Sequence, residues 1–229
     1  MARWRTDYRG IHERRYQDLR TGGKSGWSSE VEIQEELDFV EEALRKEGLP
    51  PSGRLLELGC GEGSLTLSLA CKGYQAYGID IAPTAVAWAQ EKAQKQGLAI
   101  DFRAGDITDL PYPDDFFDVV VDGHCLHCII GEDRGRCLSQ VFRITRPGGL
   151  FLVNTMCDEP QENLRDGYDP ETRCIVREGV AVRYFGRSED ILREISSSGF
   201  IVKSSVVSVD ASSPQQAMLY AVAVKPGQK

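Results

Sequence analysis

Leu55-Leu56-Glu57-Leu58-Gly59-Cys60-Gly61-Glu62-Gly63 reads as a short apolar strand that runs into a glycine-rich turn and then, from Ser64, into a helix. Glycines let the backbone take up angles that other residues resist, and they let a ligand come close to the chain. The next strand, residues 75–79, is followed at once by Asp80, placed where a carboxylate can accept hydrogen bonds from both hydroxyls of a ribose. Turn and acid together imply a nucleoside cofactor. In the dinucleotide pattern a further glycine comes after two intervening residues, but that position is Ser64, and the glycines alternate at 59, 61 and 63. This spacing favours a cofactor without a pyrophosphate.

On either side of this stretch the chain alternates between strand and helix patterns. Strands are expected at 54–58, 75–79, 100–103, 117–122 and 150–155, and helices at 64–72, 83–96 and 133–145, with Pro147-Gly148-Gly149 marking the last junction. Ser28 and Ser29 can cap an earlier helix whose apolar positions include Val31, Leu37, Val40 and Leu44, and which ends at Gly48, Pro50 and Pro51. Residues 1–28 show no strong period. A helix at 188–198, stopped by Gly199, and two β-rich segments at 201–209 and 217–224 close the sequence. The pattern predicts a single α/β domain: a Rossmann-like three-layer sandwich around a mostly parallel seven-stranded sheet with a C-terminal antiparallel hairpin. Ligands of such sheets bind beyond the carboxyl ends of the strands.

Apolar and charged fractions of 41% and 27% are those of an ordinary globular protein. No apolar run is long enough to span a bilayer and MARWRTDYRG lacks the apolar core of a signal peptide, so a cytoplasmic, membrane-free protein is expected. The seven cysteines are odd in number and sit mostly in apolar segments, which reads as reduced thiols. A net charge of -8 argues against wrapping nucleic acid, and the Arg-rich start from Arg3 to Arg20 is the one candidate for a basic patch.

ELGCGEG, the acid Asp80, Gly105-Asp106-Ile107, FDVVVDG and RPGG occur in one order across residues 50–155, and in this ordered set the chain resembles the class I S-adenosylmethionine-dependent methyltransferases. The resemblance implies S-adenosyl-L-methionine as cofactor and S-adenosyl-L-homocysteine as product. It implies that Glu57, Gly59, Cys60, Gly61 and Gly63 face the methionine part, that Asp80 and Ile81 hold the ribose and adenine, and that Asp106 and Ile107 meet the adenine. Asp122 and Gly123 complete this set at the end of the fourth strand. A looser likeness to the thiopurine and tellurite methyltransferases makes Tyr16 and Trp27 candidates for a lid over the methionine end. Residues 1–48 are then a lid and helix, 49–155 the cofactor-binding core, 156–187 a substrate-loop insertion, and 188–229 the terminal helix and strands.

Methyl transfer requires an acceptor lone pair held in line behind the methyl carbon, and a base is needed only where the acceptor must lose a proton. Asp122-Gly123-His124-Cys125-Leu126-His127-Cys128 follows the fourth strand, where the family places acceptor-facing residues, so His124 and His127 are the candidate bases. The Asn/Asp-Pro-Pro-aromatic motif of the family's amine methyltransferases is absent there. The same segment holds thiol and imidazole donors, but adjacent residues chelate poorly and no second ligand pair follows, so no metal site is expected. Residues 156–185 are expected to form the acceptor-specific wall, with a hairpin at 173–185 around Glu178-Gly179. Arg173, Arg183 and Tyr184 are its candidate substrate contacts and suggest an anionic acceptor. The expected function is methylation of a small molecule on oxygen, nitrogen or sulfur by a monomer or weak homodimer. A protein or nucleic-acid methyltransferase and a non-catalytic cofactor-binding module are the alternatives.

Overall fold

A computed structural model describes residues 4–49, 52–208 and 216–227; Arg3, Pro50, Pro51 and Val209, which enter the sequence reading, lie outside them. The elements in chain order are α1 (Tyr8–Thr21), α2 (Glu30–Lys46), β1 (Arg54–Leu58), α3 (Ser64–Cys71), β2 (Gln75–Asp80), α4 (Pro83–Gln96), β3 (Asp101–Ala104) and β4 (Phe117–Gly123). They continue as α5 (Glu132–Ile144), β5 (Thr145–Met156), β6 (Tyr168–Asp169), β7 (Cys174–Arg177), β8 (Val180–Tyr184), α6 (Ser188–Ser197), β9 (Ile201–Ser208) and β10 (Met218–Val224).

Seven strands form one sheet in the order β3-β2-β1-β4-β5-β10-β9. The pairs among β1 to β5 are parallel, and β10 runs antiparallel to both β5 and β9. The expected Rossmann-like fold is thus present. The direction of winding reverses between β1 and β4, so the chain opens a crevice above the carboxyl ends of those two strands. Successive residues of a strand point to opposite faces, and both faces here are buried. Leu56, Val120 and Phe151 pack on one side with Leu138 and Val141 of α5, while Leu55, Val119, Val121 and Leu152 pack on the other with Val40 and Leu44 of α2.

Three features depart from the sequence reading. The segment expected to lack a period contains α1, capped by Asp7, whose side chain accepts from Gly10 N at 2.9 Å. Only Tyr16 and Leu19 of that helix are buried, so it has almost no apolar stripe to reveal it. The strand expected to begin at Leu150 starts at Thr145 and carries Pro147-Gly148-Gly149 within it. Gly148 N donates to Lys225 O and Lys225 N donates to Gly149 O, so the chain just after β10 pins the glycine pair, with Gly148 at φ +76°. Val31, expected on the apolar face of α2, is 67% exposed.

The insertion after β5 is more ordered than its composition suggests. It holds a second, three-stranded antiparallel sheet, β6-β7-β8, and the expected hairpin turns at Glu178-Gly179, both with positive φ. Arg5 bridges to Val180, so this small sheet and the start of α1 are joined over the mouth of the crevice.

Candidate active site

The glycine loop is fixed by its own backbone and by one acid. Gly61 N donates to Asp80 Oδ2 at 2.9 Å and Ala82 N donates to Asp80 Oδ1 at 2.8 Å, so the carboxylate ties the turn after β1 to the turn after β2. Burial pushes the Asp80 carboxyl up and these two N–H donors oppose it. Gly61 has φ +53°, and a side chain there would run into the Tyr16 hydroxyl. Gly59 has φ +65°, and an added Cβ would lie 2.7 Å from Cys125 Cβ. Both positions need glycine for conformation and for room.

Glu57, at the penultimate position of β1, is buried at the floor of the crevice and accepts a hydrogen bond from Thr66 Oγ1. Burial pushes its carboxyl up to about 8. Four aromatic and imidazole side chains roof the crevice: Tyr8, His12 and Tyr16 from α1, and Trp27. The Tyr16 and Trp27 rings meet at 5.3 Å and the His12 and Trp27 rings at 6.0 Å. The helix is fastened at both ends. Tyr8 OH donates to Asp133 Oδ2 at 3.0 Å and accepts from Ile130 N at 3.1 Å, while Thr84 N donates to Glu13 Oε2 at 3.0 Å and Arg20 pairs with Glu91 at 2.6 Å.

The turn after β4 is built around Asp122 and Arg134. Asp122 Oδ1 accepts from Cys125 N at 2.9 Å and Leu126 N at 2.8 Å, and Arg134 Nη1 donates to Leu126 O at 2.7 Å and Ile129 O at 3.2 Å. This bracing holds His124 at φ +59°, a left-handed conformation uncommon for a histidine. Asn154 Nδ2 on β5 donates to His124 Nε2 at 2.8 Å, and Glu36 Oε1 on α2 lies 3.5 Å from the same nitrogen. Burial, and then the charge of His127, lower the His124 pKa to about 4, so the ring is neutral at neutral pH. Cys128 is held between His127 and His12. Its thiol is driven up by burial but further down by the His127 charge and the hydrogen bond from His12, and its pKa falls well below the ordinary range.

One cavity connects these parts. Its wall includes Glu57, Gly59, Cys60, Gly61, Asp80, Ile81, Asp106, Ile107 and Gly123, and continues to His124, His127 and Arg183 beneath Tyr16 and Trp27. Residues 56–153 match the family model described as a methyltransferase domain. Over these residues the chain is similar to a methyltransferase domain, in line with the class I S-adenosylmethionine-dependent family that its ordered motifs resemble.

The proteins that this chain is similar to differ in chemistry. The chain is 35% identical over 124 residues to ajmaline N-methyltransferase of Rauvolfia serpentina, covering 53% of this chain and 41% of that one. It is 31% identical over 127 residues to the ubiquinone/menaquinone biosynthesis C-methyltransferase UbiE of Vibrio parahaemolyticus, covering 53% and 48%. The chain spans between 25% and 56% of the length of such curated relatives. The solved structure of 1,6-didemethyltoxoflavin-N1-methyltransferase from Burkholderia thailandensis, with bound 1,6-didemethyltoxoflavin and S-adenosylhomocysteine, shares the fold at a TM-score of 0.71 and 19% identity, over 94% of this chain and 87% of that one.

The fold gathers most of the predicted residues at the cavity, but not all. Gly63 lies outside the wall; its φ is +82° and an added Cβ would meet Phe102 Cζ at 2.7 Å and Ala89 Cβ at 2.9 Å, so it serves the packing of α4 and β3. Asp122 faces its own turn. Asp106 lines the wall and also accepts from Thr108 N and Thr108 Oγ1, each at 2.8 Å, as a turn cap. Arg173, expected at the substrate, is not in the wall: it has φ +56° and its guanidinium donates to Phe185 O at 2.6 Å, Asp158 O at 2.7 Å and Glu159 Oε1 at 3.2 Å. Tyr184 is also absent from the wall. Its ring packs 4.6 Å from the Arg134 guanidinium. Both therefore support the second sheet, and Arg183 alone of the three reaches the cavity. Sequence reasoning missed Glu36, Glu32, His12 and Tyr8, which line the same wall from α1 and α2.

The residues present fit the cofactor. Gly59 and Gly61 leave the backbone open where side chains would intrude, and Asp80 is a buried acid in the wall of the cavity. No described helix is long and apolar enough to cross a membrane.

Proposed function

We propose that the protein transfers a methyl group from S-adenosylmethionine to a small-molecule acceptor that binds at the His124 end of the cavity. One observation carries this reading: the glycine loop with Asp80 and the His124 turn open into a single cavity roofed by α1. When bound, S-adenosylmethionine supplies a methyl group on a sulfonium, a charged leaving group that makes positioning the main task.

The residues of this chain divide that task. Asp80, Ile81, Asp106 and Ile107 hold the nucleoside, with Glu57, Gly59, Cys60, Gly61 and Gly123 at the methionine side. Tyr16 and Trp27 cover the cavity and exclude water, which strengthens every polar contact beneath them. His124 is neutral and offers the acceptor a hydrogen-bonding partner held by Asn154. A ring whose pKa is near 4 is a weak base, so its part is to orient the acceptor. Arg183 is the arginine at this end. The relatives include a nitrogen and a carbon methyltransferase, so likeness to them does not choose the atom.

Calorimetry with S-adenosylhomocysteine, followed by transfer of labelled methyl from S-adenosylmethionine to a panel of small amines, phenols and thiols, tests the reading. Binding and turnover are the expected result. Binding without turnover over the whole panel would favour the non-catalytic module, and absence of binding would end the proposal.

A further inference from the structure

The acceptor end of the cavity contains buried polar atoms that the fold leaves without partners. Glu36 is 7% exposed and lines the wall, yet its Oε1 takes part in no hydrogen bond. His124 Nε2, 3.5 Å away, is already the acceptor of the Asn154 amide. Asn154 Oδ1 is buried and unpaired as well. Buried polar atoms are almost always satisfied, because leaving one dry and unbonded costs free energy. An unpaired carboxyl oxygen in the wall of a cavity calls for a ligand that brings donors, not acceptors.

The lining points the same way. Glu32, Glu36 and Glu57 line this cavity as carboxyl groups, and Arg183 is the one arginine among the described residues of its wall. With Arg173 held in the second sheet, a carboxylate or phosphate acceptor would enter a wall with more acids than cations. An alkylammonium would meet a carboxyl with one oxygen unpaired.

We infer that Glu36 is the docking group for the methyl acceptor and that the acceptor is an amine. This rests on the methyl-transfer reading above. Burial, with Glu57 and Asp122 nearby, holds the Glu36 carboxyl well above its ordinary range, whereas His124 is lowered, so of the two Glu36 is the better holder of a proton. Amine and Glu36 therefore share one proton in the complex: as ammonium and carboxylate on binding, and as free amine and carboxylic acid at attack. The nitrogen lone pair forms the new N–C bond while the C–S bond breaks and leaves its electron pair on sulfur. The product departs as an alkylated ammonium, and Glu36 returns its proton to water.

The test uses the full chain saturated with S-adenosylhomocysteine and two matched pairs of probes, tryptamine against indole-3-propionate and phenethylamine against 3-phenylpropionate. Calorimetry should show each amine binding more tightly than its acid by about ten- to 150-fold, the range of a charge-assisted hydrogen bond, and Glu36→Gln should erase that preference while leaving S-adenosylhomocysteine affinity unchanged. Thermal melting gives a second reading that needs no probe: Glu36→Gln and Glu36→Leu should raise the melting temperature of the ligand-free protein, because each removes an unpaired buried acid. Acids bound as tightly as amines, no binding of either amine, an amine preference that survives in Glu36→Gln, equal loss of S-adenosylhomocysteine affinity in that variant, or a lowered melting temperature in both variants would each overturn the inference. Failure of S-adenosylhomocysteine to bind the unsubstituted protein would instead overturn the methyl-transfer reading itself.

Discussion

The two ends of the cavity are made of similar residues and differ in how they are finished. At the glycine loop each buried oxygen of Asp80 already has a backbone donor, and Glu57 has the Thr66 hydroxyl. At the His124 end, Glu36 Oε1 and Asn154 Oδ1 have none. The first end is complete as protein, and a ligand adds to bonds that exist without it. The second end is complete only when something else is present. A cofactor common to a whole family can be met by a finished cradle, while the part of a site that selects one acceptor is where unpaired polar groups are retained against their cost in stability.

The largest effect should come from the finished end. Asp80→Ala removes a carboxylate that binds two N–H groups of the protein and faces the cavity. S-adenosylhomocysteine affinity should fall about ten- to 150-fold, and the melting temperature should drop because Gly61 N and Ala82 N lose their partner. If calorimetry showed unchanged affinity, the contrast between the two ends would collapse.

His124→Gln should do less. A lost neutral hydrogen bond is worth about 0.5–1.5 kcal/mol, so kcat/KM for an amine acceptor should decline by about tenfold or less, with S-adenosylhomocysteine affinity kept. A loss of about 10²-fold or more in kcat would instead identify His124 as the group that moves a proton.

The smallest effect is a pH dependence. The Glu57 pKa in the folded protein, about 8, stands above the ordinary 4.5, so the folded state binds more protons than the unfolded one between those values. Its contribution to stability is lost as pH rises through that window. His124 acts in the opposite direction only between 6.5 and about 4. From pH 6.5 to 8 the melting temperature of the ligand-free protein should therefore decline more steeply than that of Glu57→Gln; parallel curves would show that Glu57 titrates normally.

What could be read from the sequence follows the same division. The strand, glycine turn and acid of the expected cofactor end lie within Leu55 to Ile81, so a local pattern carried the fold and the cofactor expectation, and Glu57, Gly59, Cys60, Gly61, Asp80 and Ile81 all line the cavity. The acceptor end is assembled from Glu36 on α2, His124 after β4 and Asn154 on β5, three segments that only the sheet brings together. Glu36 sits in EVEIQEELDF among acids that are exposed, and nothing local marks it as the buried one. Arg173 and Tyr184 were misjudged for a related reason. A hairpin pattern shows that side chains alternate but not which face meets the cavity, and the left-handed turn at Arg173 sends its guanidinium to backbone carbonyls.

The fastening of α1 has a bearing on time. The helix buries only Tyr16 and Leu19, and hydrogen bonds and an ion pair through Tyr8, Glu13 and Arg20 help to hold it in place, yet it carries three of the side chains that roof the cavity. A roof with so little apolar anchorage belongs to the least stable part of a fold, the part that opens without the rest unfolding. On the proposed function, a nucleoside product beneath it would leave only as often as α1 lifts, and lid motions of this kind take microseconds to milliseconds and set the turnover of many enzymes. On that reading the residence time of S-adenosylhomocysteine would be written less in the glycine loop than in a few polar contacts on a helix that the sequence scarcely announces.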